Sequence, residues 1–380
     1  MEVYLDNAAT TKISDAALEA VLNGTRQAWG NPSSQHRYGQ RAKKQLEAAR
    51  AQMAGCLGCL PREIYFTSGG SESDNQAILT AAELGKRQGR THLITSAFEH
   101  PAVLKTVENL EKQGFSATIL EIDPETHNLP PEQVEKAIRP DTCLVSLMYA
   151  NNEIGSILPI REIGRICRSA GVLLHVDAVQ AAGHIPLNVQ QDFIDLLSLS
   201  AHKFHGPQGV GALYASRAIQ PFRLIAGGGQ ERGRRAGTEN VPAICGMAAA
   251  LREACDGMEG DGLRILAMAD RLRQCLGAIP GSFENGDRNH RLPGIVSFSF
   301  SGISGETLLI LLDSLGICAS AGSACSSGSL EPSHVLLAAG RERSLAAGTL
   351  RLSLSRDNTM EEIQYVCERL PGILQSLRKP

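Results

Sequence analysis

The segments VLLHVDAVQ (residues 172–180) and LLSLSAHKFHGPQGVGALYA (residues 196–215) indicate the fold of this chain. Each begins with a short, nearly uninterrupted run of Val and Leu. The runs end in polar residues, Asp177 in the first segment and His202 with Lys203 in the second. Strands without polar–apolar alternation are buried on both faces, which is typical of a mostly parallel sheet covered by helices. The two segments therefore predict strands of such a sheet.

The same pattern recurs from about residue 63 to residue 216. The predicted strands are Ile64–Thr67, His92–Ala97, Ala117–Ile122, Cys143–Tyr149, Val172–Val176, Leu196–Ser200 and Gly211–Tyr214. Helical patterns lie between them, at Ser73–Lys86, Ala102–Gln113, Pro131–Ile138 and Ile160–Ser169. Strands alternating with helices predict an α/β domain built on a seven-stranded, mostly parallel sheet.

A second region follows the Gly-rich and Arg-rich loop GGGQERGRRAGTEN (residues 227–240) and a predicted helix from Val241 to about Leu276. Half-buried strands are predicted at Ile295–Phe300 and Thr349–Leu354, and helices at Gly305–Leu315 and Met360–Leu377. We expect a smaller α+β domain here. The predicted boundaries are residues 13–255 for the large domain, and residues 1–12 with 256–380 for the small one.

Composition excludes several classes of function. The 380 residues are 43% hydrophobic and 20% charged, with a net charge of −3, so nucleic acid is not an expected partner. No stretch approaches the roughly 18 uninterrupted apolar residues of a membrane span, and no signal peptide is visible at the N-terminus. Ten scattered cysteines without such a signal favour reduced thiols and a cytoplasmic location.

Ligands of parallel sheets bind beyond the carboxyl ends of the strands, where several polar residues of this chain fall. Lys203 directly follows a buried strand, and desolvation of its amine would favour a Schiff base. Asp177 could keep a pyridine nitrogen protonated, as pyridoxal phosphate (PLP) requires. Each has an ordinary alternative, a surface lysine for Lys203 and a helix cap for Asp177.

Two glycine-containing segments suggest further parts of a site. YFTSGGSESDNQAI (residues 65–78) reads as a strand, a glycine turn and a helix that begins at about Ser71, which is typical of a phosphate-binding turn. The same turn also occurs without a ligand. Cys325 lies in SAGSACSSGSLEPSHVL (residues 320–336), a polar, Gly-rich and Ser-rich setting that favours a reactive thiol over a packing residue.

Three other features are more ambiguous. His100 follows a strand and could lie over a bound ring or cap the next helix. Arg351 has the planar guanidinium that suits an amino-acid carboxylate, although an exposed strand arginine is the alternative. Cys56 and Cys59 form a CxxC pair, but no second pair completes a zinc site, and we predict no metal site.

Together these segments resemble the NifS/IscS family of cysteine desulfurases over nearly the whole chain. The motifs that carry the resemblance are YLDNAATT, GNPSSQH, TSGGSES, EHPAVL, YANNEIG, HVDAVQ, SAHKFHGP, RRAGTEN, GSACSSGSLEPSH and LRLSLSR. The segments GSACSSGS and SGSLEPSH, with the short C-terminal tail, resemble the group with a long catalytic loop, and its NifS branch more than its IscS branch. The implied fold is that of fold-type I, aspartate-aminotransferase-like PLP enzymes.

The resemblance implies a role for each matching residue. Lys203 would form the Schiff base with PLP, Asp177 would pair with the ring nitrogen, Gln180 with the ring hydroxyl, and His100 would stack on the ring. Asn152 and Arg351 would bind the carboxylate of L-cysteine, and Cys325 would take its sulfur as a persulfide. The residues that would hold the phosphate are Gly70, Ser71, Ser200 and His202, with Thr238 from the partner subunit of a homodimer.

The same resemblance implies a sulfur-acceptor protein, such as an iron–sulfur scaffold, without identifying it. Two residues depart from the family pattern: Ser71 replaces the usual Thr, and Gln208 replaces the usual Lys. A PLP aminotransferase or selenocysteine lyase on the same fold is a second interpretation, although a transaminase has no use for Cys325. A sulfur carrier without PLP is a third, but it would leave Lys203 and Asp177 without a role.

Overall fold

The computed structural model describes residues 1–322 and 332–378. Its strands are Val3–Tyr4 (β1), Ile64–Thr67 (β2), His92–Ser96 (β3), Ser116–Leu120 (β4), Thr142–Met148 (β5), Leu173–Asp177 (β6), Leu196–Ser200 (β7), Gly211–Ala215 (β8), Ser282–Glu284 (β9), Ile295–Phe300 (β10), Ile317–Cys318 (β11) and Thr349–Ser353 (β12). Its α-helices are Asp15–Gln27 (α1), Arg37–Leu57 (α2), Gly70–Arg87 (α3), Pro101–Glu111 (α4), Pro131–Ala137 (α5), Ile160–Ala170 (α6), Gln230–Gly233 (α7), Val241–Gly277 (α8), Gly305–Ser314 (α9), His334–Ala338 (α10), Arg343–Ala346 (α11) and Met360–Leu377 (α12).

The large sheet has the predicted composition. Among the described residues, seven strands pair in the order β2–β8–β7–β6–β5–β3–β4. The pairings from β7 through β6, β5 and β3 to β4 are parallel, whereas β8 runs antiparallel to both β2 and β7. The seven-stranded, mostly parallel sheet is therefore confirmed, and no strand end differs from the predicted one by more than two residues.

Both faces of this sheet are buried, as the uninterrupted apolar runs indicate. Ile64 and Phe66 of β2 belong to one hydrophobic core, whereas Tyr65 between them belongs to a second core on the opposite face. Successive side chains of a strand point to opposite faces, so each apolar run contributes to both cores. The long apolar runs thus reflect two covering layers of helices.

Two helices that the strand pattern does not predict, α1 and α2, precede the sheet and pack against α8. Local signals at their ends explain them. The Ser14 side chain accepts a hydrogen bond from the backbone N–H of Ala17 and caps α1, and Gly58 ends α2 with a left-handed φ of 70°. Their buried faces consist largely of alanine and glycine, which makes the helical periodicity weak in the sequence.

A third core lies around β10, β12, α9 and α12. Helix α8 extends from the first core to this one, with Met247 and Leu251 in the first and Met268 and Leu272 in the third. The N-terminal strand β1 also joins it, pairing in parallel with β11. The predicted domain boundary after residue 255 falls inside α8 and stays a prediction. No helix among the described residues has the length and apolar character needed to span a membrane.

Close packing of α3 against β5 gives a test of this arrangement. A Cβ atom added at Gly85 would lie 2.8 Å from the backbone oxygen of Arg90 and would clash with Cys143. We expect Gly85→Ala to lower the free energy of unfolding by about 1–3 kcal/mol, because a close-packed interior cannot absorb the methyl group. The measurement is the urea midpoint.

Gly55 in α2 is the matched control, since a Cβ added there meets no atom within 4 Å. Gly55→Ala should raise the stability by about 0.5–1 kcal/mol, because alanine loses less conformational entropy in a helix. Equal midpoints for the two variants would contradict the packing of α3 against β5.

Candidate active site

A cavity of about 220 Å³ lies at the carboxyl edge of the large sheet. The predicted site residues that line it are Gly70, Ser71, His100, Asn152, Asp177, Gln180, Ser200, His202, Lys203 and Arg351. Two predicted residues are not among them. Thr238 is exposed and does not line the cavity of its own chain, and Cys325 lies outside the described residues. The other lining residues are Ala8, Ala9, Asp74, Met148, Ala150 and Val179.

Lys203 lies at the end of a 3-10 turn, Ala201–Lys203, which directly follows β7 and brings the side chain to the cavity. Its Nζ atom donates hydrogen bonds to the backbone oxygens of Ala8, at 2.6 Å, and of Ala9, at 2.8 Å. Behind it, a ring nitrogen of His184 contacts the Lys203 carbonyl at 2.9 Å. The amine therefore lies between the sheet edge and the N-terminal segment, which sequence patterns did not indicate.

Asp177 is the last residue of β6 and is 6% exposed. One carboxylate oxygen accepts the backbone N–H of Val179 at 2.9 Å. Burial raises the pKa of Asp177, although His100, the Val179 N–H and Lys203 act in the opposite direction. A carboxylate in such a place is stabilised most by a cation brought against it, because few water molecules reach it.

Two further buried carboxyl groups, which sequence reasoning missed, lie near Asp177. Asp74 is 1% exposed and Glu99 is 0% exposed, and each has one oxygen without a hydrogen-bond partner among the described residues. Burial, with the nearby Asp177, raises the pKa of Asp74 far above its usual range, and burial raises that of Glu99 to about 8. Glu99 is therefore mostly protonated at neutral pH. Asp74 was detectable in principle, since it lies one helical turn after Ser71.

His100 combines a helix-capping position with a place in the cavity wall. It caps α4, since its Nδ1 atom accepts the backbone N–H of Ala102 at 3.1 Å, and it also lines the cavity. Burial lowers the pKa of His100, and the positive charge of Lys203 acts in the same direction, while Asp177 opposes it. The imidazole is thus neutral at neutral pH and has one N–H to donate.

One end of the cavity offers hydrogen-bond donors to an anion. Helix α3 starts there, and no side chain among the described residues caps it. The first residue, Gly70, packs closely against Val179, since a Cβ atom at that position would lie 2.7 Å from a methyl carbon of Val179. Ser200 and His202 line the same end, and burial lowers the pKa of His202 to about 4. Uncapped N–H groups and the helix dipole favour a phosphate group here.

Arg351 lies at the cavity wall formed by the third core. It belongs to β12 and is 1% exposed. Its guanidinium donates to the Asn152 backbone oxygen at 2.9 Å and to the Asp6 carboxylate at 2.7 Å. Its Nε–H is buried without a hydrogen-bond partner among the described residues. A buried guanidinium of this kind suits a carboxylate ligand.

The CxxC pair does not join this site. Cys56 lies in α2 and Cys59 just after it, and neither lines the cavity. Burial raises the pKa of Cys59 to about 12, so its thiolate is scarce at neutral pH. Within residues 1–322 and 332–378, no group of His, Cys, Asp and Glu side chains has the arrangement of a metal site.

Comparison with known proteins gives consistent matches over the chain. A family model described as aminotransferase class-V matches residues 3–366. A cysteine desulfurase IscS from Methanosarcina thermophila is 48% identical over 376 residues, which are 99% of this chain and 93% of that protein. A cysteine desulfurase IscS from Clostridium botulinum (strain Hall) is 47% identical over 381 residues, covering 100% of this chain and 96% of that protein. A solved NifS-like protein superposes with a TM-score of 0.92 at 39% identity, covering 99% of this chain and 100% of its own.

The burial of Glu99 predicts a pH dependence of stability. Its pKa is about 8 in the folded chain against an ordinary value of 4.5, so between these values the folded state binds more protons than the unfolded state. The stability that this group contributes is therefore present below about pH 4.5 and is lost as the pH rises to about 8. Glu99→Gln cannot titrate, so its stability relative to the wild type should rise across this window. Urea midpoints at pH 5, 6, 7 and 8 measure the difference, and a constant difference would contradict the prediction.

Proposed function

We infer the function of this chain from its family: it belongs to the class-V aminotransferases and, within them, to the cysteine desulfurases. The predicted family and the predicted fold, that of the fold-type I PLP enzymes, are both confirmed. The cofactor of this family is PLP. The assignment to the NifS branch stays a prediction, because the two relatives bear the name IscS and the solved structure is described as NifS-like.

The cavity fits PLP by three observations. The uncapped start of α3 offers N–H groups to a phosphate, and Ser71, Ser200 and His202 line the cavity beside it. The buried Asp177 carboxylate would be stabilised by a neighbouring positive charge, which the protonated ring nitrogen would supply. Lys203 supplies a primary amine in the wall of the same cavity. We propose His100 for the ring face and Gln180 for the ring hydroxyl.

The proposed substrate is L-cysteine. Arg351 and Asn152 hold its carboxylate, since the Arg351 guanidinium is buried at the cavity wall and is already fixed by Asp6. Bound PLP supplies an electron sink that labilises the Cα–H bond of the amino acid. The Lys203 amine takes the Cα proton, because its turn after β7 holds it inside the cavity. The neutral His100 ring lies nearby and can move a second proton.

Sulfur transfer is assigned to Cys325. Its thiolate attacks the substrate sulfur, a sulfur–sulfur bond forms, and the bond between substrate Cβ and sulfur breaks. The Cβ atom then takes a proton and becomes the methyl group of alanine. The net reaction converts L-cysteine and the Cys325 thiol to L-alanine and a Cys325 persulfide, which balances in atoms and electrons.

Two partners belong to this proposal. We propose a homodimer, in which Thr238 reaches the phosphate end of the other subunit's cavity. The support is that Thr238 is exposed in its own chain and lies in a polar loop. The acceptor of the persulfide is proposed to be a scaffold protein for iron–sulfur assembly.

The proposed desulfurase function depends most on one observation. Lys203, Asp177 and Arg351 line the same cavity, in a chain that desulfurases match over its length.

Lys203→Ala should abolish alanine formation from cysteine and leave the fold intact. It removes both the amine that forms the Schiff base and the proton acceptor. PLP should still bind through its phosphate, but without the Schiff-base absorbance. Lys105→Ala, which removes an exposed lysine of α4, is the control and should keep both signals. Alanine release by Lys203→Ala at a rate comparable to the wild type would refute the assignment.

Cys325→Ser should separate cofactor chemistry from sulfur transfer. A serine hydroxyl does not ionise at neutral pH and attacks sulfur poorly, so alanine and protein-bound persulfide should both disappear. The variant should remain yellow, and added cysteine should still shift its spectrum. Mass spectrometry should locate the extra sulfur of the wild type on Cys325. Alanine production by the variant, or a persulfide on Cys56 or Cys59, would assign the transfer to another thiol.

A further inference from the structure

The segment Gly227–Asn240, here called the arm, contains α7, whose backbone departs from regular α-helical geometry. Two successive residues with side chains, Glu231 and Arg232, have left-handed φ angles of 45° and 56°. Such angles cost conformational energy for residues other than glycine, and they persist only where surrounding contacts impose them. The contacts of these two residues should therefore reveal why the arm has this shape.

Glu231 is held by a buried ion pair. It is 4% exposed, and its two carboxylate oxygens accept hydrogen bonds from Arg50 of α2, at 2.8 and 2.9 Å. One of these oxygens also accepts the backbone N–H of Phe66 at 3.0 Å. Arg50 is 2% exposed and donates in turn to the Ile64 backbone oxygen at 2.8 Å. Three bonds thus fix the direction of the Glu231 side chain.

Arg232 is fixed to the same strand. Its guanidinium donates to the Ile64 backbone oxygen at 2.6 Å and lies 4.1 Å from the ring centre of Tyr65. Farther along the arm, Arg235 pairs with Glu72 in the first turn of α3 at 3.0 Å. Both left-handed residues are therefore attached to β2, and the arm is anchored before it reaches Thr238.

Stability alone gives a poor reason for this arrangement. Burying an ion pair costs desolvation energy, and apolar residues of similar size often stabilise a protein as well or better. A bidentate pair between a guanidinium and a carboxylate, by contrast, specifies distance and orientation closely. The combination of a buried bidentate pair with strained backbone indicates that the shape of the arm matters.

We propose that Glu231 is a positioning residue for the cofactor site of the other subunit. With Arg50, it holds the arm in the conformation in which Thr238 completes the partner's phosphate end. The inference rests on the proposed homodimer and on the proposed PLP site. Its distinctive consequence is that loss of Glu231 in one chain weakens PLP binding in the other chain.

Mixed dimers test this consequence. Two chains with different affinity tags are co-expressed, and the doubly tagged dimers are purified. The first mixture joins a Glu231→Gln chain with a Lys203→Ala chain. The second joins a wild-type chain with a chain that carries both substitutions. The two dimers contain the same mutations, and only one lysine per dimer can form the Schiff base, so they differ only in the placement of Glu231 relative to that lysine.

The measured quantity is the rate at which Schiff-base absorbance is lost when free PLP is removed. In the first mixture, the intact lysine site receives an intact arm from the Lys203→Ala chain, so loss should be as slow as in the wild type. In the second, it receives the altered arm, and loss should be about tenfold faster, the effect of one weakened hydrogen bond to a charged group. The reverse pattern, or equal rates, would overturn the proposal.

Glu231→Gln leaves the Arg50 charge buried and could prevent folding. The double variant Arg50→Met, Glu231→Met removes both charges and replaces Glu231→Gln in the same two mixtures, with the same expected rates. Sedimentation of the wild-type protein tests the proposed dimer separately from the proposed role of Glu231. A monomer would refute the proposed dimer and the shared site with it, whereas a stable dimer with the reverse pattern would refute only the role of Glu231.

Discussion

The parallel arrangement of β3, β5, β6 and β7 is the constraint on which the rest of the molecule depends. Parallel strands end at the same edge of a sheet, so residues far apart in the sequence meet there. His100 follows β3, Asn152 follows β5, and Asp177 ends β6. Helix α3 also begins at this edge without a side-chain cap among the described residues, which leaves its first N–H groups available to a ligand. The site is thus a consequence of strand direction before any side chain is considered.

This constraint also explains how much the sequence predicts. Apolar runs followed by polar residues locate Asp177 and Lys203, because both the run and the residue are local. Arg351 is different: it lies on a strand of another core, and only the resemblance places it at the cavity. Asp74 lies one helical turn after Ser71, but its spacing alone does not distinguish a buried acid from an ordinary polar residue of a helix. The bonds from Lys203 to Ala8 and Ala9 join residues nearly two hundred positions apart. Such contacts depend on the assembled fold.

The electrostatics of the cavity follow from burial more than from the number of charges. Asp74, Glu99 and Asp177 lie close enough to affect one another's ionisation, and His175 between them is neutral, since burial lowers its pKa to about 3. Three buried carboxylates cannot all be ionised at a tolerable cost, so protons remain on those that have no cation to face. Asp177 and Asp74 both line the cavity, but it is the pKa of Asp177 that the nearby His100 and Lys203 lower. A ring nitrogen bound there would face Asp177, with Asp74 and Glu99, whose pKa values burial raises, close by.

The N-terminal segment connects the two ends of the proposed chemistry. Asp6 neutralises Arg351, and the carbonyls of Ala8 and Ala9 accept the Lys203 ammonium or amine. A Schiff base would convert the Lys203 amine to a group with fewer protons to donate, which would weaken its bonds to these carbonyls. A substrate carboxylate at Arg351 would compete with Asp6 for the same guanidinium. Both events act on residues 6–9, whose neighbour β1 pairs with β11 and ties them to the third core. Residues 6–9 therefore contact both the lysine proposed to form the Schiff base and the arginine proposed to hold the substrate carboxylate.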